Sequence, residues 1–143
     1  MSSIEEKNKA IVVRYNKEFI EKGDMGVFED TIAADFVNHT PQQGQAANDR
    51  ASVAHFFNDM LRPAFPDLTV TIHDQVAEGD EVVTRKSYTG THRRRFLGVR
   101  ATGKVVQFSV IDILKLRGGQ YVEHWACADM LGLLAQLKAP SAP

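Results

Sequence analysis

Cysteine is almost absent from this chain: Cys127 is the single one in 143 residues. One thiol cannot build an internal disulfide framework, so a packed core must hold the fold, as expected in a reducing cytoplasm. Set between Ala126 and Ala128 beside a leucine-rich segment, that thiol reads as buried and inert. Long apolar runs are missing too. No stretch approaches ~18 consecutive apolar residues, and the opening Met-Ser-Ser-Ile-Glu-Glu-Lys has no apolar signal core. The sequence predicts neither a membrane span nor conventional export. Excess charge of one sign is lacking as well: 17 Lys plus Arg stand against 18 Asp plus Glu, a formal net charge of −1. That balance argues against nucleic acid or an anionic membrane as partner. The one dense basic run, Arg93-Arg94-Arg95 with Arg100 and Lys104 nearby, reads as a solvated loop. There is no repeat, low-complexity tract or linker, so residues 1–143 are expected to form one domain with a single core.

What is present is strongly patterned. Ser3-x-x-Glu6 reads as a capping box, and Ile4, Ile11, Val12, Tyr15, Phe19 and Ile20 recur at helical spacing, predicting a helix over 3–22 that stops at Gly23. Asp24 can cap a second helix holding Val27, Phe28 and Ile32, after which Phe36 to Thr40 is a brief apolar piece leading into a Pro- and Gln-containing loop at 41–49. Val53, Phe56, Phe57, Met60 and Leu61 give a third helix with one apolar face, ended by Pro63 and Pro66. Four strands come next, two before and two after the basic loop, and Asp129 caps a short C-terminal helix ahead of a frayed Pro140–Pro143 tail. Helices first and antiparallel strands afterwards predict an α+β fold: three N-terminal helices on a curved, mostly antiparallel sheet. A sheet curled over helices leaves an apolar cone in which a small ligand can sit.

Val105 to Leu137 is the organising stretch. Gly118-Gly119 accepts the positive φ of a tight hairpin turn. The apolar hairpin around it is interrupted by Asp112, within Val-Ile-Asp-Ile-Leu, and by His124, within Val-Glu-His-Trp. A carboxylate in a strand interior costs several kcal/mol unless paired or solvated, which points to a pocket. Because strand side chains alternate, the two share a face only if the loop has odd length, an arrangement that puts Val122 inward; a strict two-residue loop sets Trp125 opposite Asp112 and turns His124 away. We expect the first arrangement, in which the carboxylate orients the imidazole and the pair handles a proton. A buried structural ion pair is the alternative reading. His39, after Asn38, stands at the expected mouth or in an exposed turn; His92 reads as solvated, with a place on the pocket rim as the alternative, and His55 as a surface residue. Tyr15, Phe19, Phe57, Met60, Phe65, Phe108 and Trp125, with Val110, are the candidate apolar lining, suited to a small apolar or polycyclic molecule. His39, His92, Asp112 and His124 share no short-range ligand spacing, so no metal is expected.

The segments Asp35-Phe36-Val37-Asn38-His39, Ala64-Phe65-Pro66-Asp67-Leu68, Gly90-Thr91-His92, Phe96-Leu97-Gly98, Thr102-Gly103-Lys104 and Glu123-His124-Trp125 through Asp129, in that order, resemble the SnoaL-like polyketide cyclases. The likeness spans roughly residues 8–137. It implies the NTF2-like cone, a homodimer packed through the outer faces of the sheets, and cofactor-free general acid/base chemistry of the cyclase or isomerase type on an apolar carbonyl compound. Asn38 matches the family's asparagine and is implied to donate a hydrogen bond to the substrate oxygen. In the ring-closing cyclases the acid/base is an aspartate two residues after the histidine of the return strand. Here that position is Ala126, and alanine cannot titrate. Asp112 stands where those cyclases can carry a pocket-facing histidine. A non-catalytic cone binding an apolar ligand is therefore the rival expectation.

Overall fold

Ser3 Oγ accepts the Glu6 amide at 3.1 Å and opens helix α1, Ile4–Arg14. The structure, a computed structural model, describes residues 3–41 and 47–140. Five residues of the 41–49 segment and the last three of the expected tail lie outside the described residues. Helix α1 continues without a break into a π-helical turn, Tyr15–Glu21, and Gly23 closes it at φ +80°. Asp24 accepts the amides of Gly26 and Val27 to start α2, Met25–Thr31. Asp49 does the same for Ser52 at the head of α3, Arg50–His55, which passes into a second π-helical turn, Phe56–Leu61, and a last short turn α4, Arg62–Ala64. Pro63 therefore does not end the helix. It sits in the last turn, and the wider π spacing just before it accommodates a residue with no N–H to give.

The brief apolar piece after α2 is strand β1, Ile32–Asn38, and the four expected strands are β2 (Thr69–Glu78), β3 (Glu81–Thr91), β4 (Val105–Arg117) and β5 (Gln120–Ala128). They form one sheet in the order β1-β5-β4-β3-β2, antiparallel except for the β1–β5 pair. Even-numbered residues of β4, from Val106 to Leu116, are all buried and face the helices, while the odd-numbered ones are exposed or half-buried. The core lies between: Phe19, Ile20, Leu61 and Phe65 from the helices meet Val70, Val82, Tyr88, Phe108 and Leu114 from the sheet. Asp129 caps α5, Met130–Lys138, by accepting the Gly132 amide at 2.9 Å, and α5 packs against β4. No helix among the described residues is long and apolar enough to cross a membrane.

Candidate functional site

Whether Asp112 and His124 share a face is decided at the hairpin turn. Gly118 and Gly119, at φ +58° and +80°, make a two-residue turn, with Arg117 opposite Gln120 and Leu116 opposite Tyr121. The register then shifts: Lys115 faces Glu123, Leu114 faces His124 and Asp112 faces Ala126. Val122 is the extra, unpaired residue of a β-bulge. The loop thus has two residues rather than the odd number expected, yet the bulge supplies the odd residue and brings both side chains to the inner face. It also changes which residue leads inward: Tyr121 is 2% exposed, while Val122 is only half-buried.

A hollow lies between this face and the helices. Tyr15, Asn38, Phe57, Phe108, Val110, Asp112 and His124 all line it, joined by Tyr121 and Ala126. Both π-helical turns contribute: the first offers Tyr15, Asn16 and Ile20, the second Phe56, Phe57 and Leu61. Five of the expected contacts are elsewhere. His39 and Trp125 do not line the hollow but stack on each other, ring centroids 4.6 Å apart, and His39 Nε2 lies 3.1 Å from Glu123 Oε1. The alternation that turns His124 inward turns its neighbour outward. Met60 lines a separate surface depression with Arg94, Arg95 and Leu97. Phe19 and Phe65 are core rather than lining.

At the floor is a group that sequence reasoning missed. Lys86 is 2% exposed and its Nζ lies 3.0 Å from Asp112 Oδ2. It also donates to Asn16 Oδ1 at 2.7 Å, and Asn16 Nδ2 donates to the Val12 carbonyl at 2.8 Å. Its Nζ stands 5.3 Å from the centre of the Tyr88 ring. The available signal was alternation: Val82, Thr84, Lys86 and Tyr88 occupy one face of β3, three of them plainly suited to a core. Burial by itself would push the Asp112 carboxyl up, but the Lys86 ammonium and the adjacent His124 outweigh it and hold the group below the usual carboxylate range. Burial likewise pulls the Lys86 ammonium down, and Asp112 reverses that, leaving it above an ordinary lysine. Both directions agree on a charged pair.

His124 is oriented from its other side. Its Nδ1 lies 2.9 Å from Asn38 Oδ1, which also accepts the Thr40 amide at 3.1 Å. A backbone N–H can only donate, so that atom is the amide oxygen and Nδ1 must carry the hydrogen. The neutral ring thus presents Nε2, its basic nitrogen, to the hollow, 3.7 Å from Asp112 Oδ2. At 3.7 Å the two atoms are too far apart for a hydrogen bond, and they form an ion pair only when the ring takes up a proton. The end of β1 that carries Asn38 is tied down by bonds from Asn38 N to Asn48 O (2.7 Å), from His39 N to His124 O (2.9 Å) and from Ala126 N to Thr40 Oγ1 (2.8 Å).

Two single-residue expectations reverse. His92 is fully buried: its Nδ1 accepts the Thr102 amide at 3.1 Å and its ring packs 5.6 Å from Phe65. Cys127 is exposed, because it shares the outer face with Trp125. His55 is on the surface beside Asp59. Arg93, Arg94 and Arg95 are exposed.

Among curated proteins none matches this sequence. Solved structures do. A SnoaL-like candidate polyketide cyclase from Jannaschia sp. CCS1 is 29% identical, with 99% of this chain and 98% of that one covered at a TM-score of 0.85. IdmH, a candidate polyketide cyclase from Streptomyces antibioticus, is also 29% identical, covering 92% and 99% at 0.81. AclR, a candidate hydroxylase from Streptomyces galilaeus, is 28% identical, covering 96% and 85% at 0.80. The model of the SnoaL-like polyketide cyclases matches residues 10–137. With its cone, its bulged hairpin and this match over nearly all of its length, the chain belongs to the SnoaL-like polyketide cyclase family.

Proposed function

We propose that the protein is a small-molecule cyclase or isomerase that works by general acid/base chemistry on an apolar carbonyl compound held in the hollow. The observation that carries this reading is the imidazole of His124, fixed by Asn38 so that its unprotonated nitrogen faces a largely apolar cavity with an ionised carboxylate 3.7 Å away. His124 Nε2 takes a proton from the carbon next to the substrate carbonyl, and the electron pair passes to oxygen as an enolate. Asn38, whose Oδ1 is engaged by His124 and Thr40, offers its Nδ2 to that oxygen. The enolate carbon then closes on a second carbonyl of the same molecule, or is reprotonated elsewhere. The imidazolium returns its proton to the new alkoxide or carbon. Asp112, kept ionised by Lys86, stabilises the imidazolium without accepting the proton, because Lys86 favours the carboxylate form. The family likeness further supports a homodimer joined through the outer sheet face.

The test is turnover of a cyclase-type methyl ester by the unmodified protein and by His124→Gln. Loss of about 10²-fold or more in kcat in the variant, with its melting temperature little changed, is the expected result. Equal rates would refute His124 as the base. One observation favours a second reading, binding without turnover: Ala126, opposite Asp112 in the hollow, has no proton to move where the ring-closing cyclases carry aspartate. Saturable binding of the ester with no turnover would select it.

A further inference from the structure

The second π-helical turn has two occupied sides. Phe57 and Leu61 line the hollow, while Asp59 and Met60, from the same turn, line the separate surface depression. The opposite wall of that depression is the loop between β3 and β4, anchored by the bond from Arg93 N to Ala64 O at 2.8 Å. Met60, Pro63, Phe96 and Leu97 make it apolar, and Arg94 and Arg95 line it as well. Arg14, Arg50, Arg85 and Arg117 are each paired with a carboxylate, whereas among the described residues Arg94 and Arg95 have none within reach. Asp59, the one acid of the depression, lies 2.8 Å from His55 Nδ1 instead.

The tip of the loop carries an unusual residue for its backbone. Phe96 and Val99 exchange backbone hydrogen bonds of 3.0 and 2.9 Å around Leu97 and Gly98, which both have positive φ, +50° and +74°. Leu97 is the one residue other than glycine in that region among those described. Asparagine or glycine suits such a turn better, because a leucine β-carbon crowds the next carbonyl oxygen there. The turn therefore does not account for the leucine, and its place on the apolar wall does. Charge narrows the occupant. With His55 counted as neutral, two arginines and Asp59 leave one positive charge uncompensated. An uncharged molecule would not balance it, a cation would add to it, and the second charge of a phosphate monoester would face Asp59. A carboxylate supplies one negative charge and the two oxygens that guanidinium groups bind best.

We infer that this depression is a second ligand site, which takes an apolar monocarboxylate with its head on Arg94 and Arg95 and its chain against Met60, Pro63 and Leu97. It depends on no reaction in the hollow. Isotope-labelled methionine methyls tell the two places apart, since Met60 lines the depression and Met130 the hollow. The full chain is titrated at pH 7 with octanoate, 1-octanol, octylammonium and octyl phosphate. The expected result is that octanoate shifts the Met60 resonance saturably, leaves that of Met130 in place, and binds at least about fivefold more tightly than the other three. Arg94→Gln with Arg95→Gln is expected to erase that preference. Raising the salt from about 0.05 M to about 0.5 M should weaken octanoate and spare 1-octanol, because the charges are exposed. Leu97→Asn is expected to weaken octanoate several-fold without lowering the unfolding midpoint, since relief of the backbone offsets the lost contact. A leucine serving only the fold would lower the midpoint and leave octanoate unchanged, and that result would remove Leu97 from the site. No binding of octanoate up to about 10 mM, or a shift at Met130 without one at Met60, would overturn the inference while leaving the acid/base reading to its own turnover test. Equal affinities for octanoate and 1-octanol, or tighter binding of octyl phosphate, would overturn the monocarboxylate.

Discussion

A lysine and an aspartate that are each at most 5% exposed lie side chain to side chain at 3.0 Å, a charge pair inside the core. Removing one partner of such a pair leaves an uncompensated charge in the interior, which typically costs about 3–5 kcal/mol. Lys86→Met is therefore expected to lower stability by that order in urea denaturation. Lys86→Met with Asp112→Leu should recover most of the loss, because two apolar residues of similar volume leave nothing unpaired. A double variant as unstable as the single one would show that the pair is not the cause. Acid stability depends on the same contact. The Asp112 carboxyl titrates below its ordinary value of 3.8 in the folded protein, so the unfolded chain binds that proton more readily. Its contribution is complete above the unfolded value and is lost as pH falls through the lower folded one. The urea midpoint should owe no change to this group between pH 7 and 5, then fall below about pH 4, and the fall should be shallower in the double variant. Sequence alone marked Asp112 as a residue in need of a partner and offered His124, not Lys86. Lys86 sits between Arg85 and Ser87 and looks like any solvated lysine until the strand's alternation is traced to Tyr88.

In the closing hairpin, a turn, a bulge and a cap lie close together between Gly118 and Asp129. Gly118 and Gly119 both need positive φ, which costs a residue with a β-carbon roughly 1–2 kcal/mol. Gly119→Val should lose about that much in chemical denaturation, whereas Gly118→Asn should be nearly neutral, since asparagine tolerates this conformation. Equal losses from the two would argue against the paired positive-φ turn. The strands, the glycine turn and the Asp129 cap were all legible in the chain, because each rests on local chemistry. The bulge at Val122 was not. A β-branched residue with no distinguishing neighbour gives no sign that it will go unpaired. The choice is made by the side chains on either side of it: with the extra residue, Tyr121 and His124 both face the helices, whereas a regular ladder would put Trp125 there. The π-helical turns are similarly silent in sequence, because Tyr15–Glu21 and Phe56–Leu61 carry the same apolar spacing that any core-facing helix shows.

Over the whole molecule, the outer face of the sheet keeps more apolar surface than a fully solvated face needs. Ile111 is 49% exposed, and Cys127, paired opposite it, is exposed as well. If the proposed homodimer covers this face, the unmodified protein should sediment as a dimer, and Ile111→Glu should yield a monomer whose Cys127 reacts faster with a thiol reagent. A monomeric unmodified protein would refute that arrangement. The sequence by itself determined the α+β order, the helix caps, the core faces and the family, because these depend on residues close together in the chain or on an ordered set of short motifs. Only the tertiary structure decided that His124 looks inward and Trp125 outward, that Lys86 is the partner of Asp112, that His92 is buried and Cys127 is not. Each of those outcomes depends on which strand lies beside which and in what register, and a period of two allows a one-residue shift to exchange every inner side chain for an outer one.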